Sequence, residues 1–323
     1  MPHFKKLHMT TITTRKHILK FYVLIGFAFL FFGALGTLMA KLFLDKLFGG
    51  SFETKDYFLL IISAAIYFMA FYTVYRYSKG SPIIVVDSQN ITFGDYETFQ
   101  LIDIEEIHLT GKMPFRYIIR FPMEGAMILF KDGTIKYIYD DLYSNSWELK
   151  SFLEQVVINK KSYVELNSAK INPDDLSFEL GVEFKGNQFT SLRGLTLWGL
   201  IGFFFFMIIR TKNPAIGGII FFLVFGSFWF TLNSWLMHYF VLANDYFVVK
   251  NHNFIWLKKY YRLKDIKEIV FETQGKQPNC LRVITNDFRN KLYPAGTLRD
   301  KNWLELKEEL EKKGISVRNE CIF

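Results

Sequence analysis

The chain has 323 residues, half of them hydrophobic and 18% aromatic with 36 phenylalanines, yet its mean hydropathy is only +0.14. That mixture implies long apolar segments alternating with globular ones, and the length allows about two domains. The net charge is +8, and two cysteines, Cys280 and Cys321, exclude a disulfide framework and a cysteine-based metal cluster.

The first twenty residues contain Lys5, Lys6, Arg15, Lys16 and Lys20 and no acid. Residues 1–20 are therefore expected to be a basic cytoplasmic tail, in which each cation adds up to about 1 kcal/mol close to an anionic leaflet. Twenty uncharged residues separate Lys20 from Lys41, and nineteen separate Asp56 from Arg76. A bilayer core of about 30 Å takes roughly twenty residues at 1.5 Å each, so 21–77 is expected to be a transmembrane hairpin. The first run is too long, and lacks a small-x-small site, for a cleaved signal peptide. Gly36 opens the small-xxx-small phrase "GTLMA", a pattern that lets helices approach closely.

Residues 82–158 change to short strands: "PIIVVD", "ITF", "TFQLI", "IEEIHLT", "FRYIIRF", "AMILF" and "TIKYIY". "KDGT" at 131–134 is expected to turn the last pair, because Asp-Gly supplies positive φ. The period then becomes helical in "SNSWELKSFLEQVV", with Ser144 placed to cap it. A linker is expected over 159–193. Sixteen uncharged residues lie between Arg193 and Arg210, and after Lys212 no charge appears until Asp245. These give a second hairpin over 194–238. Strands return over 239–314 as "YFVLA", "YFVVKN", "FIWLKKYYRL", "IKEIVFE", "CLRVIT" and "NKLYP". A helix from about Asp300 then ends at Gly314, before a tail of 315–323.

The two globular segments repeat phrases. "DIEEI" at 103–107 matches "DIKEI" at 265–269, and "ELKSFLE" at 148–154 matches "ELKEELE" at 305–311. Asp103, Ile107, Leu149 and Leu153 are thereby expected to be the structural equivalents of Asp265, Ile269, Leu306 and Leu310. The leucines share one helical face that can close an open end of the sheet. Lys150 and Lys307, with Glu148 and Glu305, are expected to be solvated, and the two aspartates to serve their own turns. The chain is expected to be a duplication of one unit, two spans followed by a small antiparallel sheet and a helix.

The stretch "YFVLANDYFVVKNHNFIWLKKYYRLKDIKEIVFE" at 239–272 resembles the opening of bacterial pleckstrin-homology-like domains that follow transmembrane pairs. "IIVVDSQNITF" and "IDIEEIHL" resemble it more loosely. Those domains have Thr where Ala243 stands, and a proline where Arg262-Leu263 stands. The resemblance implies a fold, a curved seven-stranded sheet or barrel capped by a carboxyl-terminal helix. It implies no chemistry.

No ionisable residue lies inside the four runs, which argues against a pump or coupled transporter. Asn233, Ser234 and His238, the last near a boundary, are expected to bond between helices or to sit at the interface, with a transport role as the alternative. No nucleotide-binding or hydrolase signature occurs, the six histidines are scattered, and Asp140-Asp141 is expected to serve a turn. Lys258, Lys259 and Arg262 are expected to face anionic lipid rather than nucleic acid, since acids follow them closely. Residues 78–160 carry −4 and residues 241–323 carry +5, charges that favour docking of one segment on the other.

The loop 210–213 is tiny, and lysine and arginine favour the cytoplasmic side. Both termini and the middle segment are therefore expected in the cytoplasm, under a bacterial inner membrane. The expected function is non-enzymatic: a platform that binds lipid, another membrane protein or a second copy, with no cofactor or metal. The alternative is an accessory or regulatory subunit of a transport or envelope-stress system, and a third reading is a membrane enzyme without a recognisable motif.

Overall fold

The computed structural model describes residues 11–117, 120–165, 171, 181–211, 215–273 and 278–321, and divides into two units, residues 1–166 and 167–323. Among the described residues four helices are long and apolar enough to cross a membrane: α1 (Leu24–Phe48), α2 (Tyr57–Gly80), α4 (Leu192–Arg210) and α5 (Ile216–Trp235). Side chains such as Phe27, Leu30, Ile61, Phe203 and Val224 are exposed along them. A soluble chain would bury such residues, whereas lipid accommodates them. α1 is entered through wide π-type turns over Ile18–Val23 and continues past Lys41 to Phe48. Gly36 lets α1 lie against α2. A Cβ there would meet the Tyr67 ring at 3.3 Å, and the Ser63 hydroxyl donates to the Gly36 carbonyl at 2.9 Å.

In the first unit a strand precedes the spans. β1 (Ile12–Thr13) pairs antiparallel with β2 (Ile84–Val86), which follows α2. β3 (Asn90–Phe93) and β4 (Glu97–Gln100) complete a sheet in the order β1-β2-β3-β4. The second sheet holds β5 (Ile104–His108), β6 (Lys112–Arg116), β7 (Arg120–Phe130) and β8 (Ile135–Tyr139). β7 is long enough to pair β6 along its first half and β5 along its second. α3 (Ser146–Leu153) buries Leu149, Phe152 and Leu153.

The second unit also has a strand ahead of its helix pair. β9 (Val182–Phe184) precedes α4 and pairs with β10 (His238–Leu242), which follows α5. β11 (Tyr246–Asn251) and β12 (Lys258–Arg262) finish that sheet. β13 (Ile266–Thr273), β14 (Asn279–Thr285) and β15 (Asn290–Pro294) form the other, joined in parallel at β13 by β16 (Val317–Asn319). α6 (Asp300–Lys312) buries Trp303, Leu306 and Leu310 in a core with Phe184, Phe240, Phe247 and Phe271. The close fit of β9 needs Gly186, where a Cβ would stand 1.7 Å from the Thr297 carbonyl oxygen.

The matched phrases occupy matched places. A one-turn 3-10 helix precedes each: Leu101–Asp103 before β5, Leu263–Asp265 before β13. The carbonyl of Asp103 accepts from Lys131 N–H, and that of Asp265 from Asn286 N–H, both at 2.9 Å. Each strand then breaks register after its first residue. The following turns agree as well: Gly133 N–H bonds to Phe130 O, and Phe288 N–H to Thr285 O. Gly133 has φ 81° and Phe288 φ 61°. A phenylalanine there is unusual, and its ring is buried with Lys267 Nζ 3.9 Å from the centroid.

Five expectations fall differently. The described part of the amino-terminal segment is a sheet strand rather than a free tail, and the linker supplies β9. "FRYIIRF" is not one strand: Arg116 and Arg120 oppose each other across the tip of the β6–β7 pair. In "FIWLKKYYRL" the strand begins at Lys258, leaving 254–257 as a loop. Asn145, not Ser144, precedes α3, and its side chain is engaged elsewhere.

Candidate functional site: the membrane-proximal ends of the β-domains

In the first unit the last turns of α2 end against the β6–β7 arm. Arg76 donates through Nε (3.0 Å) and Nη2 (2.6 Å) to the Arg116 carbonyl. One turn earlier, the Thr73 hydroxyl meets the Tyr117 phenol. Phe115 is buried with its ring 5.0 Å from Tyr77 and 5.1 Å from Tyr139. Gly80 is required here, because a Cβ would lie 2.6 Å from that ring. Tyr139 donates to the Pro114 carbonyl at 2.9 Å, and burial pushes its phenol well above the ordinary range.

Between α2, this arm and the β3–β4 turn lies an open cleft of about 480 Å³. Phe93, Phe115, Tyr137 and Tyr139 wall it, and Arg76, Lys79, Arg116 and Lys136 supply four cations against Asp95 and Glu97. Lys136 is spent on Glu97 at 2.7 Å. Among the described residues no carboxylate pairs with Lys79 or Arg116. The cleft thus has a net positive rim over aromatic walls, an arrangement suited to an anionic group carried on an apolar body.

In the second unit the end of α5 is locked into the sheet by polar side chains. Asn251 Nδ2 donates to the Ser234 carbonyl and Asn253 Nδ2 to the Ser234 hydroxyl, each at 2.8 Å. His238 Nδ1 donates to the Pro294 carbonyl at 3.0 Å, and His252 Nε2 lies 3.0 Å from the Thr297 hydroxyl. Burial lowers both imidazoles to about 4, so both are neutral at pH 7. Ser234 therefore serves the domain rather than another helix, while Asn233 accepts from Arg193 of α4 at 3.3 Å.

No protein-family model matches this chain, and no curated protein matches it. The geometry of the side chains therefore carries the functional argument alone.

The basic residues singled out in the sequence do not converge. Lys5 and Lys6 lie outside the described residues. Arg15 is exposed, and its main chain is held by α3's leading residues: its N–H donates to Asn145 Oδ1 at 2.7 Å. Lys16 covers the Phe21 ring at 4.3 Å, and burial lowers its pKa. Lys20 pairs with Asp141. Lys258 and Lys259 are exposed at the start of β12, and Arg262 is half-buried at its end. Asp103 and Asp265 are half-buried and act through their carbonyls, Ile107 is half-buried, and Ile269 is fully buried. Leu149, Leu153, Leu306 and Leu310 are fully buried beneath their helices.

Lys150 corrects the sequence reading. It is 1% exposed rather than solvated, and its ammonium meets Asp140 at 2.6 Å. Its counterpart Lys307 remains partly exposed beside Glu311. Lys79 and Arg116 escaped sequence reasoning because they are 37 positions apart and neither belongs to a charge run. Only the fold of the β6–β7 arm onto α2 brings them to one cleft.

Among the described residues no three His, Cys, Asp or Glu side chains form a group able to hold a metal ion.

Proposed function

We propose that this chain is a four-span protein of a bacterial inner membrane that works by binding rather than by catalysis. Its spans form two hairpins, and its two pleckstrin-homology-like domains are duplicated copies on the cytoplasmic side. The hairpin reading is supported by the strands flanking each span pair: β1 pairs with β2 and β9 with β10, so each pair leaves and re-enters one sheet. The duplication is supported by the matched turns at Asp103 and Asp265 and at Gly133 and Phe288. The excess of basic residues before α1 supports cytoplasmic termini.

The platform's first ligand is an anionic lipid headgroup in the cleft rimmed by Arg76, Lys79 and Arg116. The single observation that carries this is where the cleft lies: Arg76, Lys79 and Gly80 of its lining belong to the last turns of the long apolar helix α2, the end that a four-span reading puts beside the lipid headgroups. A phosphodiester there meets Lys79 and Arg116, which pair with no carboxylate among the described residues. Native mass spectrometry of the protein released from membranes tests it. The parent chain is expected to retain phosphatidylglycerol over phosphatidylcholine. A Lys79→Ala/Arg116→Ala variant is expected to lose that preference while staying folded, and equal retention by both chains refutes the proposal.

A further inference from the structure

The loop joining β11 to β12 is fastened to the end of α5 and then turns apolar. Asn251 Oδ1 accepts from the N–H groups of Asn253 and Phe254, both at 3.0 Å, and His252 N–H donates to the Met237 carbonyl at 3.1 Å. With the two side-chain bonds to Ser234, these hold the loop in one place on the helix. Phe254 then packs edge-on against Phe230, with ring centroids 6.2 Å apart. Phe230 precedes Trp235, the helix end, by five positions, so at 1.5 Å per residue it lies roughly 7 Å inside the span. Next come Ile255 and Trp256, 72% and 73% exposed, with the Trp256 ring 5.5 Å from Phe254. Lys258 and Lys259 follow, both exposed. The corresponding β3–β4 turn of the first unit is shorter, Gly94, Asp95 and Tyr96, and exposes one aromatic ring without an isoleucine beside it.

A rigid loop that offers adjacent isoleucine and tryptophan to solvent is costly in water. On the four-span reading depth resolves the conflict, because a loop in contact with Phe230 then lies near the lipid surface rather than out in the aqueous phase. Tryptophan suits that level, having an apolar ring and one polar N–H, and lysines just beyond it suit anionic headgroups.

We infer that residues 254–256 enter the interfacial layer of the leaflet from which α5 emerges, so that the second β-domain holds the bilayer by a wedge of its own. The occupant of this surface is lipid, not protein. The inference rests on the four-span reading, and its test separates the two. Ile255→Cys, in a chain with Cys280→Ala and Cys321→Ser, is labelled with a polarity-sensitive fluorophore and reconstituted in phosphatidylglycerol–phosphatidylcholine nanodiscs. Val224→Cys on α5 and Lys301→Cys on α6 serve as references for lipid and water. The label at 255 is expected to be quenched by lipids spin-labelled near the headgroup, and several-fold less by aqueous iodide than the label at 301. Iodide quenching equal to that at 301, or protection from both quenchers as under a protein partner, overturns the wedge. If the label at 224 responds to lipid while that at 255 does not, the wedge alone fails. If neither responds, the spans fail with it. Trp256→Cys repeats the test one residue on.

Discussion

Lys150 carries its charge into the packed side of α3, where Asp140 receives it at 2.6 Å with both side chains 1% exposed. At the matching place in the second unit the backbone of Ala295 bonds to Asn279 as Asp140 bonds to Glu124, so an apolar residue stands where the first unit has a carboxylate. The second unit keeps its own buried pair elsewhere, Arg282 with Glu272 at 2.9 Å, and Arg282 also donates to Asn290 at 2.8 Å. Truncating one member of such a pair strands the other, at a cost of about 3–5 kcal/mol. Lys150→Met is therefore expected to lower the thermal midpoint in detergent sharply. Adding Asp140→Ala, which removes the stranded carboxylate and copies the second unit, is expected to restore most of it. A double variant no more stable than Lys150→Met would show that the pair is not what matters at this site.

At the scale of elements, the short strands ahead of the spans are held mainly by partners far along the chain. β1 has two residues, too few to persist by pairing alone. Asn145 closes on it from the start of α3: Oδ1 accepts Arg15 N–H at 2.7 Å, Nδ2 donates to the Thr13 carbonyl at 3.0 Å, and Thr14 pairs both ways with Ile84. Asn145→Ala removes two half-buried clamping bonds at a cost of about 1–3 kcal/mol. Faster amide hydrogen exchange at Thr14 and Arg15 is the expected signature, with Val270 and Phe271 in β13 unaffected. Unchanged exchange at residues 14 and 15 would mean that the β1–β2 ladder alone holds the strand. Because β1 is joined to α1 only through residues 14–23, loosening it also loosens the mounting of the first helix pair.

For the whole molecule, the side of the membrane follows from counting. Two spans return the chain to the side it left, and a strand before each pair bonds to the strand after it. With basic residues ahead of α1, the proposed reading puts both termini in the cytoplasm. Cys321 reports this directly: it is half-exposed near the carboxyl terminus, while Cys280 is buried. A thiol reagent that cannot cross a bilayer is expected to leave Cys321 unmodified in intact cells and to modify it after lysis. Modification before lysis would place that terminus outside.

The spans were legible in the sequence because a bilayer demands a length and an absence of charge, both of which are properties of a linear string. The closing helices were legible for a similar reason: Leu149 and Leu153, like Leu306 and Leu310, recur at a spacing that only one helical face satisfies. Repeated phrases located β5 and β13 because local turn chemistry is written in adjacent residues. The burial of Lys150, the clamp of Asn145, the cleft at Arg76 and Arg116, and the seating of Phe254 on Phe230 belong to the tertiary structure. Each depends on partners distant in the chain, and identical letters such as Lys150 and Lys307 meet different environments according to what the sheet places opposite them.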